Sequence, residues 1–270
     1  MPILLRRRFG ISNTVNQFST VYFKFFLKNN MQTLQRFENR AFDALRPLSI
    51  TPNFTQNAEA SVLFELGKTK VLCTATLERN LPTWLLNKNQ GWLSAEYAML
   101  PRATPKRTKR EAVKGKQTGR TQEIQRLIGR SLRACLDFSK MPGFQFLMDC
   151  DVLQADGSTR CACICGAFVA LKWALLNALK NKVLKENPLI DNVSAVSVGI
   201  VGNNALLDLD YKEDSSCDTD MNVVMLGKNI VEIQGTAEGA PFNRAWLNRL
   251  LDLSEKGNLE IQNQQNAIFK

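Results

Sequence analysis

The chain has 270 residues and is 44% hydrophobic, enough to bury a core in one large or two small domains. No run reaches the roughly 18 apolar residues a membrane span needs. It contains no histidine. This excludes Ser-His-Asp and Cys-His nucleophile systems and imidazole-ligated zinc, so acid–base or metal chemistry must come from carboxylates, lysines or thiols. The formal charge of +10 is concentrated in two places: residues 1–30 carry five basic side chains and no acid, and ten basic residues face only Glu111 and Glu123 between Arg102 and Arg130.

Residues 1–30 are rich in Arg, Ser/Thr/Asn and Phe, a composition that suits either a targeting leader or translation upstream of a true start at Met31. Residues 31–270 are read as a single domain. Within it, "SVLFELGKTKVLCTATLE" predicts two strands joined by a hairpin at Gly67-Lys68. Ile124, Leu127, Ile128, Leu132 and Cys135 recur at helical spacing between Thr121 and Phe138. "GFQFLMDCDVLQ" predicts a strand, and "TRCACICGAFVALKWALLNALKN", apolar nearly all round, predicts a buried helix. Strand pairs then flank Asn203-Asn204 and link "MNVVML" to "NIVEIQGTAE", before a closing amphipathic helix from "PFNRAWLNRLLDLSEK". Strand pairs alternating with packed helices imply an α+β fold. Seven cysteines, odd in number and irregularly spaced, imply reduced thiols in a cytosol-like compartment.

Three segments can carry chemistry. The basic run contains Pro101, Pro105, Gly115 and Gly119 and so reads as a loop. It leaves Arg120 at the start of the following helix, where free N–H groups and the helix dipole favour an anion. In "ADGSTR", a strand ends at Asp156-Gly157, Ser158 or Thr159 suits a helix N-cap, and Arg160 adds charge, the makings of an anion cradle. In "DLDYKEDSSCDTDMNVVM", Asp208 and Asp210 are expected on one face of a strand. Asp214 and Asp220 span a turn between strands, so their carboxylates can converge as hard ligands for Mg²⁺ beside a phosphate.

These residues, with "QGWLSAEYAMLPRAT", "REAVKGKQTGRTQEIQRLIGRSLRA", "DCDVLQADGSTR", "AVSVGIVG", "EDSSCDTDMNVVM" and "VEIQGTAEGAPF" in that order, resemble the ribonuclease PH family over about residues 40–253. The resemblance implies a phosphorolytic 3′→5′ exoribonuclease that trims tRNA precursors and other RNA 3′ ends beyond the CCA end. It implies inorganic phosphate as co-substrate and Mg²⁺ or Mn²⁺ as cofactor. It also implies a βαβ-rich domain like those of ribosomal proteins and exosome ring subunits, assembled as a homohexamer from three dimers in the bacterial cytoplasm, without membrane contact; organelle targeting by residues 1–30 stays open. Phosphate binding is carried over to Arg120, Ser158, Thr159 and Arg160, catalysis and metal binding to Asp214 and Asp220, and the RNA acceptor end to Arg102, Arg107 and Arg110. Departures are Ser158 where the family has Gly, Asn57 where it commonly has His, and "CACIC" where it tends to carry Thr and Ser. The alternative, a catalytically silent RNA-binding ring subunit, would lack the arginines and aspartates that this chain keeps.

Of the three cysteines in "CACIC", Cys163 must face opposite Cys161 and Cys165, because helix positions two apart diverge by about 200°. They are therefore expected to be small core residues rather than one metal site. Cys161, beside Arg160 in the first turn, is a candidate for a lowered thiol pKa and oxidation sensitivity.

Overall fold

A computed structural model of the chain describes Arg36 and residues 39–270. The expectations for residues 1–30 lie outside the described residues. Residues 41–270 form one unit, built on two sheets. The first comprises β1 (Leu48–Pro52), β2 (Ala60–Leu66), β3 (Thr69–Glu78), β4 (Trp92–Met99) and β5 (Gln145–Gln154), in the order β1-β2-β3-β5-β4. The second comprises β6 (Val193–Val201), β7 (Asn204–Leu207), β8 (Thr219–Leu226) and β9 (Asn229–Ala237), in the order β7-β6-β8-β9.

The hairpin at Gly67-Lys68 forms as expected, with Leu66 opposite Thr69. Two strands escape periodicity. β1 alternates over only five residues and is never fully buried, and β4 lies just before the basic loop with no clean alternation. β4 runs parallel to β5, and parallel neighbours need a crossover. That crossover contains the short helix α1 (Glu111–Lys114) and the amphipathic helix α2 (Gly119–Arg133), which packs on β4.

Helix α3 (Thr159–Lys180) occupies the centre. It packs against β2, β3 and β5 on one side and β6 on the other, which is why its sequence is apolar all round. At 22 residues with mean hydropathy 1.8 it is long and apolar enough to cross a membrane, contrary to the sequence expectation, yet most of it is buried inside the protein. The cysteines divide as the 200° rule requires. Cys161 and Cys165 reach the second sheet, donating to Asn222 Oδ1 at 3.1 Å and to the Ala195 carbonyl at 3.3 Å. The backbone of Cys163 faces Cys73 and Cys150 of the first sheet. Burial pushes the Cys161 thiol well up despite Arg160, so the expected activated thiolate does not arise.

The acidic segment departs most from expectation. β7 stops at Leu207, and Asp208 turns into the left-handed region at φ 56°, so Asp208 and Asp210 share no strand face. Asp208, 1% exposed, takes a bidentate pair from Arg46, through Nε at 2.8 Å and Nη2 at 2.6 Å. Asp210 caps the single-turn helix α4 (Tyr211–Asp214) in a capping box with Glu213. Helix α5 (Arg244–Ala267) closes the outer face of the second sheet over β6, β7 and β8.

Candidate active site

Two tight contacts bring the functional turns together. The turn before α3 places Gly157 at φ 77°, where a Cβ would lie 2.5 Å from the Leu209 carbonyl and 2.9 Å from Tyr211 N. On the neighbouring strand, a Cβ on Gly199 would lie 2.5 Å from the Thr219 carbonyl and 2.6 Å from Leu209 Cδ1. Glycine at both positions lets the 156–160 turn, the 208–211 turn and the start of β8 pack against one another. Asp214, at the end of α4, and Asp220, the second residue of β8, thereby come to the mouth of the 156–160 turn.

The polarity of that turn follows from its hydrogen bonds. The Asp156 carbonyl accepts from Arg46 Nη1, and the Gly157 carbonyl accepts from Thr69 Oγ1 at 2.7 Å. In a trans peptide the N–H points opposite the carbonyl, so the amides of Gly157 and Ser158 turn toward the other side, where both residues line a cavity of about 1110 Å³. Ser158 holds the N-cap position of α3 at φ 54°, but its hydroxyl caps nothing. It bonds Ser197 Oγ at 2.6 Å, Asp208 Oδ1 at 3.0 Å and the Leu209 carbonyl at 3.1 Å. The Ser158 side chain therefore ties the turn to the Arg46–Asp208 pair, and the first-turn N–H groups of α3 stay open to an anion.

The same cavity is lined by Arg120, Thr159, Arg160, Asp214 and Asp220, together with Lys106, Asn222, Gln234 and Glu238. Thr118 caps α2, and its backbone N–H and the Thr121 hydroxyl both bond Glu111 Oε1, at 3.1 and 2.8 Å. This fixes the first turn that carries Arg120. Asp220 Oδ1 is buried with no hydrogen-bond partner among the described residues. Burial first, then the charge of Asp214, push the Asp220 carboxyl up to about 6; Asp214 is also raised, by burial against the pull of Arg160 and Arg120. Asp214, Asp220, Arg120 and Arg160 thus share one cavity, the carboxylates resisting charge and the arginines easing it.

Six of the nine expected site residues thus meet in one cavity. Arg110 lines a neighbouring cavity of about 950 Å³, to which Arg120 also contributes. Arg102 and Arg107 are exposed on the loop between β4 and α1 and line neither cavity. That loop is pinned by buried Ala103, whose carbonyl accepts from Ala155 N at 2.9 Å, so its cations stand at the rim. Sequence reasoning missed Glu238, a third carboxylate that raises both aspartates, and Gln234, which accepts from Arg160 Nη1 at 2.6 Å. Both lie in "EIQGTAEG", where polar residues in a strand without an obvious exposed face were the available signal.

An anion cradle at a helix N-terminus, two arginines and a carboxylate pair in one cleft, edged by a basic loop, define a phosphoryl-transfer enzyme for a polyanionic substrate. Residues 44–176 match the 3′ exoribonuclease family, domain 1, and residues 191–257 match its domain 2. Proteins called "Ribonuclease PH" from Neisseria meningitidis serogroup C and Neisseria gonorrhoeae are each 55% identical to this chain over 232 residues, 85% of it and 96% of theirs. Rice (Oryza sativa) Rrp46 superimposes with a TM-score of 0.71 at 16% identity, covering 87% of this chain and all of that one. The Archaeoglobus fulgidus exosome subunit superimposes at 0.68 and 24%, covering 96% of this chain and 100% of its own; these two show the shared fold. The chain belongs to the ribonuclease PH family, and is a phosphorolytic 3′→5′ exoribonuclease of the nucleotidyltransferase kind.

Proposed function

We propose that the enzyme trims tRNA precursors and other RNA 3′ ends by holding inorganic phosphate on Arg120, Thr159 and Arg160 and the open amides of the 157–160 turn. The convergence of those residues with Asp214 and Asp220 in one cavity carries this reading. A phosphate oxygen attacks the phosphorus of the terminal phosphodiester, the bond to the 3′-oxygen of the preceding nucleotide breaks, and a nucleoside diphosphate leaves. The 3′-oxygen takes a proton, which the attacking hydrogen phosphate supplies as its own oxygen bonds to phosphorus. The arginines stabilise charge on the transferring phosphoryl group, and the fixed turn orients the attacking oxygen. Reversal of the same steps adds nucleotides to a 3′ end.

The chemistry of Asp214 and Asp220 fits Mg²⁺ or Mn²⁺: both are hard oxygen donors, and one buried oxygen is unpartnered. Among the described residues no group of three or more His, Cys, Asp or Glu side chains is placed to hold a metal ion. When bound, it would supply positive charge beside the leaving oxygen.

The RNA body lies along Arg102, Arg107 and Arg110. The enzyme assembles as a homohexameric ring of three dimers; the edge position of β9, which exposes Ile230 and Ile233 and needs cover, supports a contact between copies there. Seven free cysteines support a reducing, cytoplasm-like compartment. The site assignment is tested by steady-state kinetics of Arg120→Gln and of Asp214→Asn. The first is expected to raise the phosphate half-saturation concentration, and the second to stop turnover with RNA binding intact. Unchanged kinetics in either variant contradict the assignment.

A further inference from the structure

Arg160 is held by more than its cradle. Its Nη1 donates to Gln234 Oε1 at 2.6 Å and lies 3.6 Å from Glu123 Oε1. Gln234 Nε2 donates to that same Glu123 oxygen at 2.7 Å. Three side chains from three elements, α3, β9 and α2, close a triangle at the edge of the phosphate cavity, which all three line. Glu123 sits one turn beyond Arg120 on the same face of α2, and its carboxylate contacts Arg160. Seven residues further along α2, Arg130 forms a bidentate pair with Glu232 at 2.9 and 2.6 Å. Glu232 and Gln234 share a face of β9, so that pair sets the spacing at which Gln234 meets Arg160.

The burial of the three differs in a telling way. The Arg160 side chain is 15% exposed and that of Glu123 is 51% exposed. The carboxylate can swing into water at small cost, whereas the guanidinium cannot leave. Gln234 is neutral and bonds Arg160 through its carbonyl oxygen, so it can keep that bond when Glu123 departs.

We propose that Glu123 is a built-in counter-anion of Arg160, displaced when inorganic phosphate binds, and that Gln234 is the positioning residue that keeps the guanidinium aimed at the cradle through the exchange. The inference rests on the assignment of Arg160 to phosphate. A phosphate oxygen pair matches the planar fork of arginine and carries more charge than one carboxylate, so it wins the exchange. A weakly charged ligand does not. The resident carboxylate therefore biases the site by a few-fold toward strongly charged oxyanions such as inorganic phosphate, or the terminal phosphate of a nucleoside diphosphate in the reverse reaction, over weakly charged ligands.

The test is calorimetric titration of the full-length protein with inorganic phosphate, without RNA, for wild type, Glu123→Gln, Gln234→Leu and Arg160→Gln. Glu123→Gln is expected to bind phosphate roughly two- to fivefold more tightly, the range of an exposed ion pair removed as competitor. Gln234→Leu is expected to bind at least roughly tenfold more weakly, the effect of one lost hydrogen bond to a charged group. In phosphorolysis the phosphate half-saturation concentrations follow the same order while those for RNA stay put, a split that a merely structural role does not produce. Phosphate binding by Glu123→Gln that equals or falls below wild type overturns the exchange. Wild-type binding by Gln234→Leu overturns the positioning role. If Arg160→Gln itself binds phosphate normally, the cradle assignment fails; if it binds weakly while Glu123→Gln is unchanged, only the exchange fails.

Discussion

Replacing Asp220 by Asn separates what the active site needs from what the fold prefers. In the folded chain the Asp220 carboxyl sits at about 6 against an ordinary 3.8, because it is buried and faces Asp214. At about 1.36 kcal/mol per pK unit, keeping it ionised at neutral pH costs on the order of 3 kcal/mol as an upper figure. A folded pKa above the unfolded one means the folded state binds the proton more tightly, so the penalty is absent below about pH 4. It grows as pH rises between 4 and 6 and is full above that. Asp220→Asn carries no such penalty. In the presence of a chelator at pH 7.5 it is expected to unfold later than wild type by about 1–3 kcal/mol, or about 2–4 °C per kcal/mol for a chain of this size. The advantage shrinks as the pH is lowered to 4, and turnover is lost throughout. Chemical denaturation across pH 4–8, run beside an exonuclease assay, measures both. A variant no more stable than wild type at pH 7.5, or one whose advantage grows toward acid, refutes the reasoning.

Other substitutions test the supports of the site. Ser158→Ala removes the hydroxyl from Asp208, Leu209 and Ser197 yet keeps φ at 54°, and is expected to cost about 1–3 kcal/mol by denaturation. Ser158→Gly loses the same bonds but relieves about 1 kcal/mol of left-handed strain, so it ranks above Ser158→Ala. Arg46→Ala leaves Asp208, 1% exposed, without its bidentate partner and is expected to cost about 3–5 kcal/mol. Arg107→Ala weakens RNA binding and reduces the slope of log affinity against log salt by about 0.7, as for one phosphate contact on a single strand; an unchanged slope removes Arg107 from the RNA path.

Much of this architecture was legible in residue order. Turn residues and periodicity located β2, β3, β5, β6, β8, β9 and the three long helices, because each buries a regular stripe or a continuous run. β4 was hidden by its neighbours' charge, and no periodicity marks a strand whose role is to run parallel beside β5. The acidic segment misled for a physical reason. Alternation of Asp208 with Leu207 and Leu209 suggested a strand face, but Gly199 opens room for Leu209 and Arg46 captures Asp208 across 162 residues of chain. No local pattern reports such a partner. Ser158 was legible as a departure from glycine; that its hydroxyl faces the Arg46–Asp208 pair rather than the cavity needed the fold. Arg120, Thr159, Arg160, Asp214 and Asp220 could be proposed from residue order because each sits in a short local motif, and the fold brings all five to one cavity. Gln234 and Glu123 could not, since their meaning lies in a triangle closed by three elements.

The central claim is that phosphate, not water, cleaves the RNA in this cavity. Incubating the purified full-length protein with a 3′-extended tRNA and ³²P-labelled inorganic phosphate tests it directly. The account predicts that label appears in released nucleoside diphosphates, and that omitting phosphate stops release. Unlabelled nucleoside monophosphates, formed equally without phosphate, would contradict it.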